Sequence, residues 1–312
     1  MLTRCTVYDR AGNQCDGRLG DTLVQEGYDM PVQMPSGRRC AVCLTFDFDA
    51  LSAWLGPQMN VSTPGFTSRG EFGARVGIWR VLDLLDKYNI KSSFFVPGHT
   101  VDTWPEIVRE IHRRGHEVGA HGYLHENPAK LKYEEEEDIL HRAIDSIERA
   151  TGERPYGYRS PSWDNSPSTA QLLLDNGFVY DSSLMADDYS PYRVRIGDEF
   201  PVTGPAKFGQ TSRLIELCPS WHLDDFPAFE FMWYPILLPG LKPASEVYEN
   251  WASIFDYMYA NVPGGVYIPT MHPQVVGRGH VIAMLEMLIK HITGHSGIWL
   301  ARCIEVAKAY RD

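Results

Sequence analysis

Between residues 39 and 310 the chain alternates two kinds of apolar pattern, and this alternation limits the folds open to it. Short strand-like runs stand at 39–46, 92–96, 116–121, 156–160 and 178–182. Between them apolar residues recur at helical spacing: Phe72, Val76, Trp79, Leu82 and Leu85, then Ile107, Val108 and Ile111, then Ile139, Ala143, Ile144 and Ile147. Pro105 helps to start the second helix, Thr151-Gly152 closes the third, and Ser166-Pro167 opens a fourth that Gly177 ends. Beyond 182 the pattern loosens. Residues 193–202 and 213–218 read as strands without a clear helix between them, followed by a helix at 244–260, a strand at 266–271, a helix at 280–292, a strand at 298–303 and a last helix at 304–310. Strands that alternate with helices pair in parallel, and this many units predict an α/β fold closed into a barrel. Residues 38–312 read as that single domain and residues 1–37, polar and without period, as an N-terminal extension that wraps the body or an oligomer neighbour. Residues 56–70, rich in Pro, Ser, Thr and Gly, predict a long loop.

Composition narrows the function. A formal net charge of -11 argues against a nucleic-acid-binding surface and against docking on anionic lipid. No stretch approaches the run of about 20 apolar residues that a membrane span needs, and the N-terminus has no apolar signal-peptide core, so a cytoplasmic protein is expected. Six cysteines are too sparse for a disulfide scaffold, and Cys40-x-x-Cys43 lacks a second close pair to complete a zinc site. These two read as small core residues.

In parallel α/β folds, chemistry gathers at the C-terminal ends of the strands. The first strand ends in Asp47-Phe48-Asp49, whose two carboxylates share a face if the strand runs through them. Like charges there need a cation or a positive side chain. Later strands end in His121-Gly-Tyr-Leu-His125, Arg159-Ser-Pro-Ser-Trp163, Asp181 and His272-Pro273. Five strands thus bring ionisable groups to one rim. His116-Glu117 is one residue too far from His121 for a zincin motif, and neither a Gly-x-Ser-x-Gly elbow nor a phosphate-binding glycine loop is present.

In this order the motifs Thr45-Phe46-Asp47-Phe48-Asp49, His121…His125, Arg159-Ser160-Pro161-Ser162-Trp163, Asp181 and Thr270-Met271-His272 resemble those of the polysaccharide deacetylases, the superfamily of family 4 carbohydrate esterases. The resemblance spans roughly residues 40–305 and implies a distorted (β/α)7-type barrel. Carried over by position, it implies Asp47 as general base, with Arg159 orienting it. Asp49, His121 and His125 would hold a divalent metal, most commonly zinc. His272 would be the general acid, held by Asp181. Trp163 and Trp221 would contact substrate, with backbone N–H groups near Trp163 stabilising the tetrahedral intermediate.

Two departures mark a subgroup. Phe48 separates the aspartates, and Ala50-Leu51 stands where the common form has Gly-Pro. The Asp-x-Asp form, with Gly73-Ala74-Arg75-Val76-Gly77, Trp221-His222-Leu223-Asp224-Asp225-Phe226-Pro227 and Met271-His272-Pro273-Gln274, is similar to peptidoglycan-deacetylase-like proteins, cyclic imidases and allantoinases. Arg75 reads equally as a substrate grip or a surface ion pair, and Trp221, His222, Asp224 and Asp225 equally as pocket residues or a polar surface turn around a packed Trp. The expected activity is metal-dependent hydrolysis of a non-peptide carbon–nitrogen bond, removing an N-acetyl group from an amino sugar, with a cyclic imide or ureide as the alternative substrate. A homo-oligomer is expected. A non-catalytic sugar-binding barrel is the contrasting reading, and it is disfavoured because every role is filled.

Overall fold

The computed structural model describes residues 32–311 together with two short strands, β1 (Val7–Tyr8) and β2 (Gln14–Cys15), which pair antiparallel. Most of the segment read as an N-terminal extension lies outside the described residues. The organising strand has two parts, β3 (Cys40–Val42) and β4 (Thr45–Asp47), all of whose residues are buried. Burial on both faces is the signature of a parallel sheet covered by helices.

Around this strand the neighbours are β5 (Ser93–Val96), β6 (Glu117–Ala120), β7 (Gly157–Tyr158), β8 (Tyr180–Asp181) and β10 (Gln210–Glu216), each parallel to the one before. On the other side β11 (Val266–Tyr267) and β12 (Thr270–Met271) pair in parallel with β3 and β4. An isolated parallel bridge between Asp224 and Thr270 links the segment after β10 back to β12. The ring is therefore a seven-stranded distorted barrel. β13 (Ile298–Leu300) adds to β3 at its base.

Side-chain parity sorts the first strand. Cys40, Val42, Leu44, Phe46 and Phe48 join the cluster shared with the outer helices, while Ala41 and Cys43 join Phe95, Tyr180, Ile215, Leu217 and Ile268 inside the ring. The same parity carries Thr45 and Asp47 to the interior above them. Helix α12 (Cys303–Arg311) contributes Ile304, Val306, Ala307 and Tyr310 to the inner cluster. Cys40 and Cys43 are fully buried and unbridged. Each large apolar side chain so buried contributes about 1.5–3 kcal/mol.

The outer helices follow the apolar spacing. The single turn α1 (Ser52–Leu55) comes first. Helix α3 (Ile78–Lys87) buries Ile78, Val81, Leu82 and Leu85. Helices α4 (Gly98–Thr103) and α5 (Pro105–Arg113) precede α6 (Tyr133–Thr151), which Gly152 ends in a left-handed conformation. Helix α9 (Ala244–Asn261) sets Val247, Trp251, Phe255 and Met258 against the core that α11 (Gly279–Thr293) shares through Leu285, Leu288, Ile289 and Ile292. Among the described residues no helix is long and apolar enough to cross a membrane.

Three expectations need correction. The stretch 56–70 is not all loop: α2 (Pro64–Phe72) begins inside it, with Pro64 at its first turn, where a missing N–H costs nothing. The fourth predicted helix starts later, as α7 (Thr169–Asp175), because Ser166 ties off the chain before it: its Oγ accepts from the N–H groups of Ser168 and Thr169. The strand read at 193–202 is shorter, β9 (Tyr192–Ile196), and it runs antiparallel to β10 as an edge hairpin outside the parallel ring.

Candidate active site

The strand β4 stops at Asp47, yet Phe48 N–H still donates to Phe95 O at 2.9 Å, so Asp49 is fixed just beyond the strand end. Its carbonyl accepts from Thr100 Oγ1 at 2.5 Å and Ser52 Oγ at 2.7 Å. Asp47 and Asp49 both line the floor of a cavity of about 480 Å³, shared with His121, His125, His272, Trp163 and Trp221.

Asp47 is held from behind. Arg159, fully buried, donates from Nη1 to Asp47 Oδ1 at 2.7 Å and to Thr45 Oγ1 at 3.0 Å. Its other nitrogens donate to Ser182 O at 3.1 Å and Ser182 Oγ at 2.9 Å, and its guanidinium lies 4.2 Å from the Phe95 ring centre. Burial by itself would raise Asp47, but the charge and hydrogen bond of Arg159, with the charge of His272, outweigh it and hold the carboxyl below its ordinary value.

Asp49, His121 and His125 bring one ligand atom each to within 4.8 Å of one another. His121 Nδ1 donates to Arg159 O at 2.7 Å, which leaves Nε2 with its lone pair 3.5 Å from Asp49 Oδ1. That oxygen is buried and has no hydrogen-bond partner. Burial, with Asp47 beside it, pushes Asp49 up to about 8 despite the opposing charge of His272. Burial and its histidine neighbours push His125 down to about 3, although part of its surface reaches the cavity. Two neutral imidazoles and an orphaned carboxylate oxygen fit a divalent cation, whose charge would return Asp49 to its ionised form. The loop carrying the histidines is pinned by Glu126 Oε2, which accepts from Tyr123 N–H at 3.0 Å and Leu124 N–H at 2.7 Å. Gly56 lets it approach: a Cβ there would stand 2.3 Å from Leu124 O.

His272 follows β12 and precedes the short helix α10 (Pro273–Val276). Its Nδ1 donates to Asp225 Oδ1 at 2.7 Å, and its backbone N–H lies 3.1 Å from both Asp225 oxygens. Asp224 is 3.6 Å from the same Nδ1, and Nε2 is 3.7 Å from Asp49 Oδ2. Burial opposes a charge on this ring, yet Asp225, Asp224 and Asp49 together push it up to about 10. Asp225 opens helix α8 (Asp225–Phe229), and Asp224 caps it by accepting from Phe226 N–H at 2.8 Å.

This corrects the partner expected for His272. Asp181 is fully buried one layer away. It accepts from Asn165 Nδ2 at 2.8 Å, Ser182 N–H at 2.8 Å and Ser183 Oγ, and makes no contact with His272. Through Ser182, which also meets Arg159, it supports the other side of the site. The missed residue is Asp225. Its signal was a carboxylate pair at a helix start just after a strand, beside the segment that closes the ring.

Trp163 and Trp221 stand at the cavity with ring centres 4.4 Å apart. Ser162 and Trp163 both have positive φ, 62° and 52°, in a tight turn after Pro161. The N–H of Trp163 donates to Ser160 O at 3.0 Å within that turn. Arg75 is exposed and pairs with Glu71 at 3.7 Å, away from the cavity.

A family model for polysaccharide deacetylases matches residues 70–180. The chain is 37% identical over 271 residues to a peptidoglycan deacetylase of Helicobacter pylori, covering 84% of this chain and 92% of that protein. A solved structure of a Mycobacterium smegmatis protein assigned as a polysaccharide deacetylase superposes with a TM-score of 0.81 at 34% identity, covering 91% of this chain and 94% of the other. The chain belongs to the polysaccharide deacetylase family and is a hydrolase of non-peptide carbon–nitrogen bonds. The Puue allantoinase has the same fold, with a TM-score of 0.72 at 21% identity over 90% of this chain and 93% of its own.

Proposed function

We propose that the chain removes the N-acetyl group of an amino sugar in peptidoglycan or a related glycan, and that zinc is its metal. The observation that carries this reading is one cavity floor with three parts: a base fixed by an arginine, an Asp–His–His donor set, and a protonated histidine fixed by a carboxylate. Asp49, His121 and His125 would hold the cation. When bound, it supplies Lewis-acid polarisation of the acetamide carbonyl and charge compensation for the anionic oxygen that forms there.

The remaining steps belong to the chain itself. Asp47, kept ionised by Arg159, takes a proton from the attacking water. Arg159 is itself fixed by Thr45 and Ser182 and so prevents the carboxylate from turning away. His272, kept protonated by Asp225, gives its Nε2 proton to the departing amine nitrogen, which without it would leave as an unstable anion. Trp163 and Trp221 offer ring faces to a sugar ring at the rim. The exposed apolar side chains Trp233, Leu237 and Leu241 support assembly into a homo-oligomer.

The test is acetate release by the zinc-loaded protein from N-acetylglucosamine oligomers, run beside succinimide, hydantoin and allantoin. Acetate from the oligomers with the cyclic amides untouched is the expected result. Ring opening without acetate release would assign the cyclic-amide chemistry instead, and turnover of neither set would reject both.

A further inference from the structure

A second group of histidines and a carboxylate lies on the outer helices, outside the cavity. Asp256 is on α9; His291 is in the last turn of α11, and His295 follows just beyond its end. His291 Nε2 is 2.7 Å from Asp256 Oδ1, and His295 Nε2 is 3.8 Å from the same oxygen. All three ligand atoms lie within 4.8 Å of one another. The ring of His295 is fixed on both sides. Its Nδ1 lies 2.9 Å from His291 O, which can only accept, so the proton sits on Nδ1. In the neutral ring Nε2 therefore presents a lone pair toward Asp256, too far away for a hydrogen bond. Phe255 and Tyr259 hold the imidazole edge-on, with ring centres 5.2 and 4.7 Å away.

We infer that Asp256, His291 and His295 form a second metal site, for a divalent transition cation of the zinc, nickel or copper kind, which clips α9 to α11. The chemistry of the donors selects that class. Two imidazoles with one carboxylate suit these ions and not magnesium or calcium, which prefer all-oxygen shells. The carbonyl of His291 plays the part that second-sphere acceptors play at histidine metal sites: it sets the tautomer and aims Nε2. Binding displaces the proton of His291 Nε2, which in the free protein bridges to Asp256. The residues are partly exposed, so water completes the coordination and the site binds more weakly than the buried donor set.

Calorimetric titration of the metal-free protein with Zn²⁺ alone tests this. Wild type should show two binding events. His121→Ala should lose the tighter one and keep the weaker. His295→Ala and His291→Ala should each lose the weaker one while acetate release stays within about twofold. Saturating the weaker site in His121→Ala should also raise Tm by about 3 °C or more, an increment absent when His295→Ala is added. One event in wild type, or a weaker event that survives both His295→Ala and His291→Ala, would overturn the site.

Discussion

The described residues include two Asp–His–His groups, and they differ in what surrounds them more than in what they contain. In the first, Asp49 and His121 have side-chain exposures of 1% and 2%, and the carboxylate oxygen between them is left without a partner. In the second, Asp256 is 50% exposed and already pairs with His291. The first group is delivered by strand ends and their loops, braced by Thr100, Ser52 and Glu126. The second rests on helix surfaces, where an i,i+4 histidine pair arises cheaply. The difference teaches that donor type alone does not define a reaction centre. Desolvation, an unsatisfied charge and adjacent acid–base groups do, and only the first group has all three.

The largest effects should follow from breaking the acid–base pair beside the first group. Asp47→Asn keeps the shape and the Arg159 contact but removes the base; kcat should fall by about 10²–10⁴, with bound metal and circular dichroism unchanged. Next comes the choice between the two candidate carboxylates. Asp225→Asn removes the charge that keeps His272 protonated, so kcat should fall by about 10–10². Asp181→Asn acts only through Ser182 and Arg159 and should cost less than Asp225→Asn; the reverse order would restore the partner expected from sequence.

A smaller effect separates a structural histidine from the reacting one. His116 is buried beneath the site, accepts from Ser92 N–H at 3.1 Å through Nδ1, and burial pushes it down to about 4. Its folded-state value is depressed, so its contribution to stability is fully present above about 6.5 and is lost as pH falls toward about 4. His116→Asn retains an acceptor for Ser92. It should flatten the acid limb of unfolding free energy against pH by up to about 1.4 kcal/mol per pH unit, measured by urea titration.

The same contrast explains how far the sequence could be read. Strand and helix order followed from periodicity, and Asp47, His121, His125 and Arg159 could be picked out because each ends a strand or opens the loop after it. Three features were not legible, each for a physical reason. Helix α2 hides in a stretch whose Pro, Ser, Thr and Gly content mimics a loop, although Pro64 marks its first turn. The β9–β10 hairpin breaks the parallel rule because no helix intervenes. Asp225 meets His272 across 47 positions, where the ring closes through the Asp224–Thr270 bridge, and local pattern carries no information about that closure.

The most direct measurement pairs the two groups in one assay. Acetate release from an N-acetylglucosamine oligomer is followed for zinc-loaded wild type, Asp49→Ala and Asp256→Ala at equal protein concentration. Asp49→Ala should lose at least about 10³-fold in kcat, while Asp256→Ala stays within about twofold of wild type. An Asp49→Ala protein that keeps its rate, or two variants that fall together, would contradict the assignment of the reaction to the buried group.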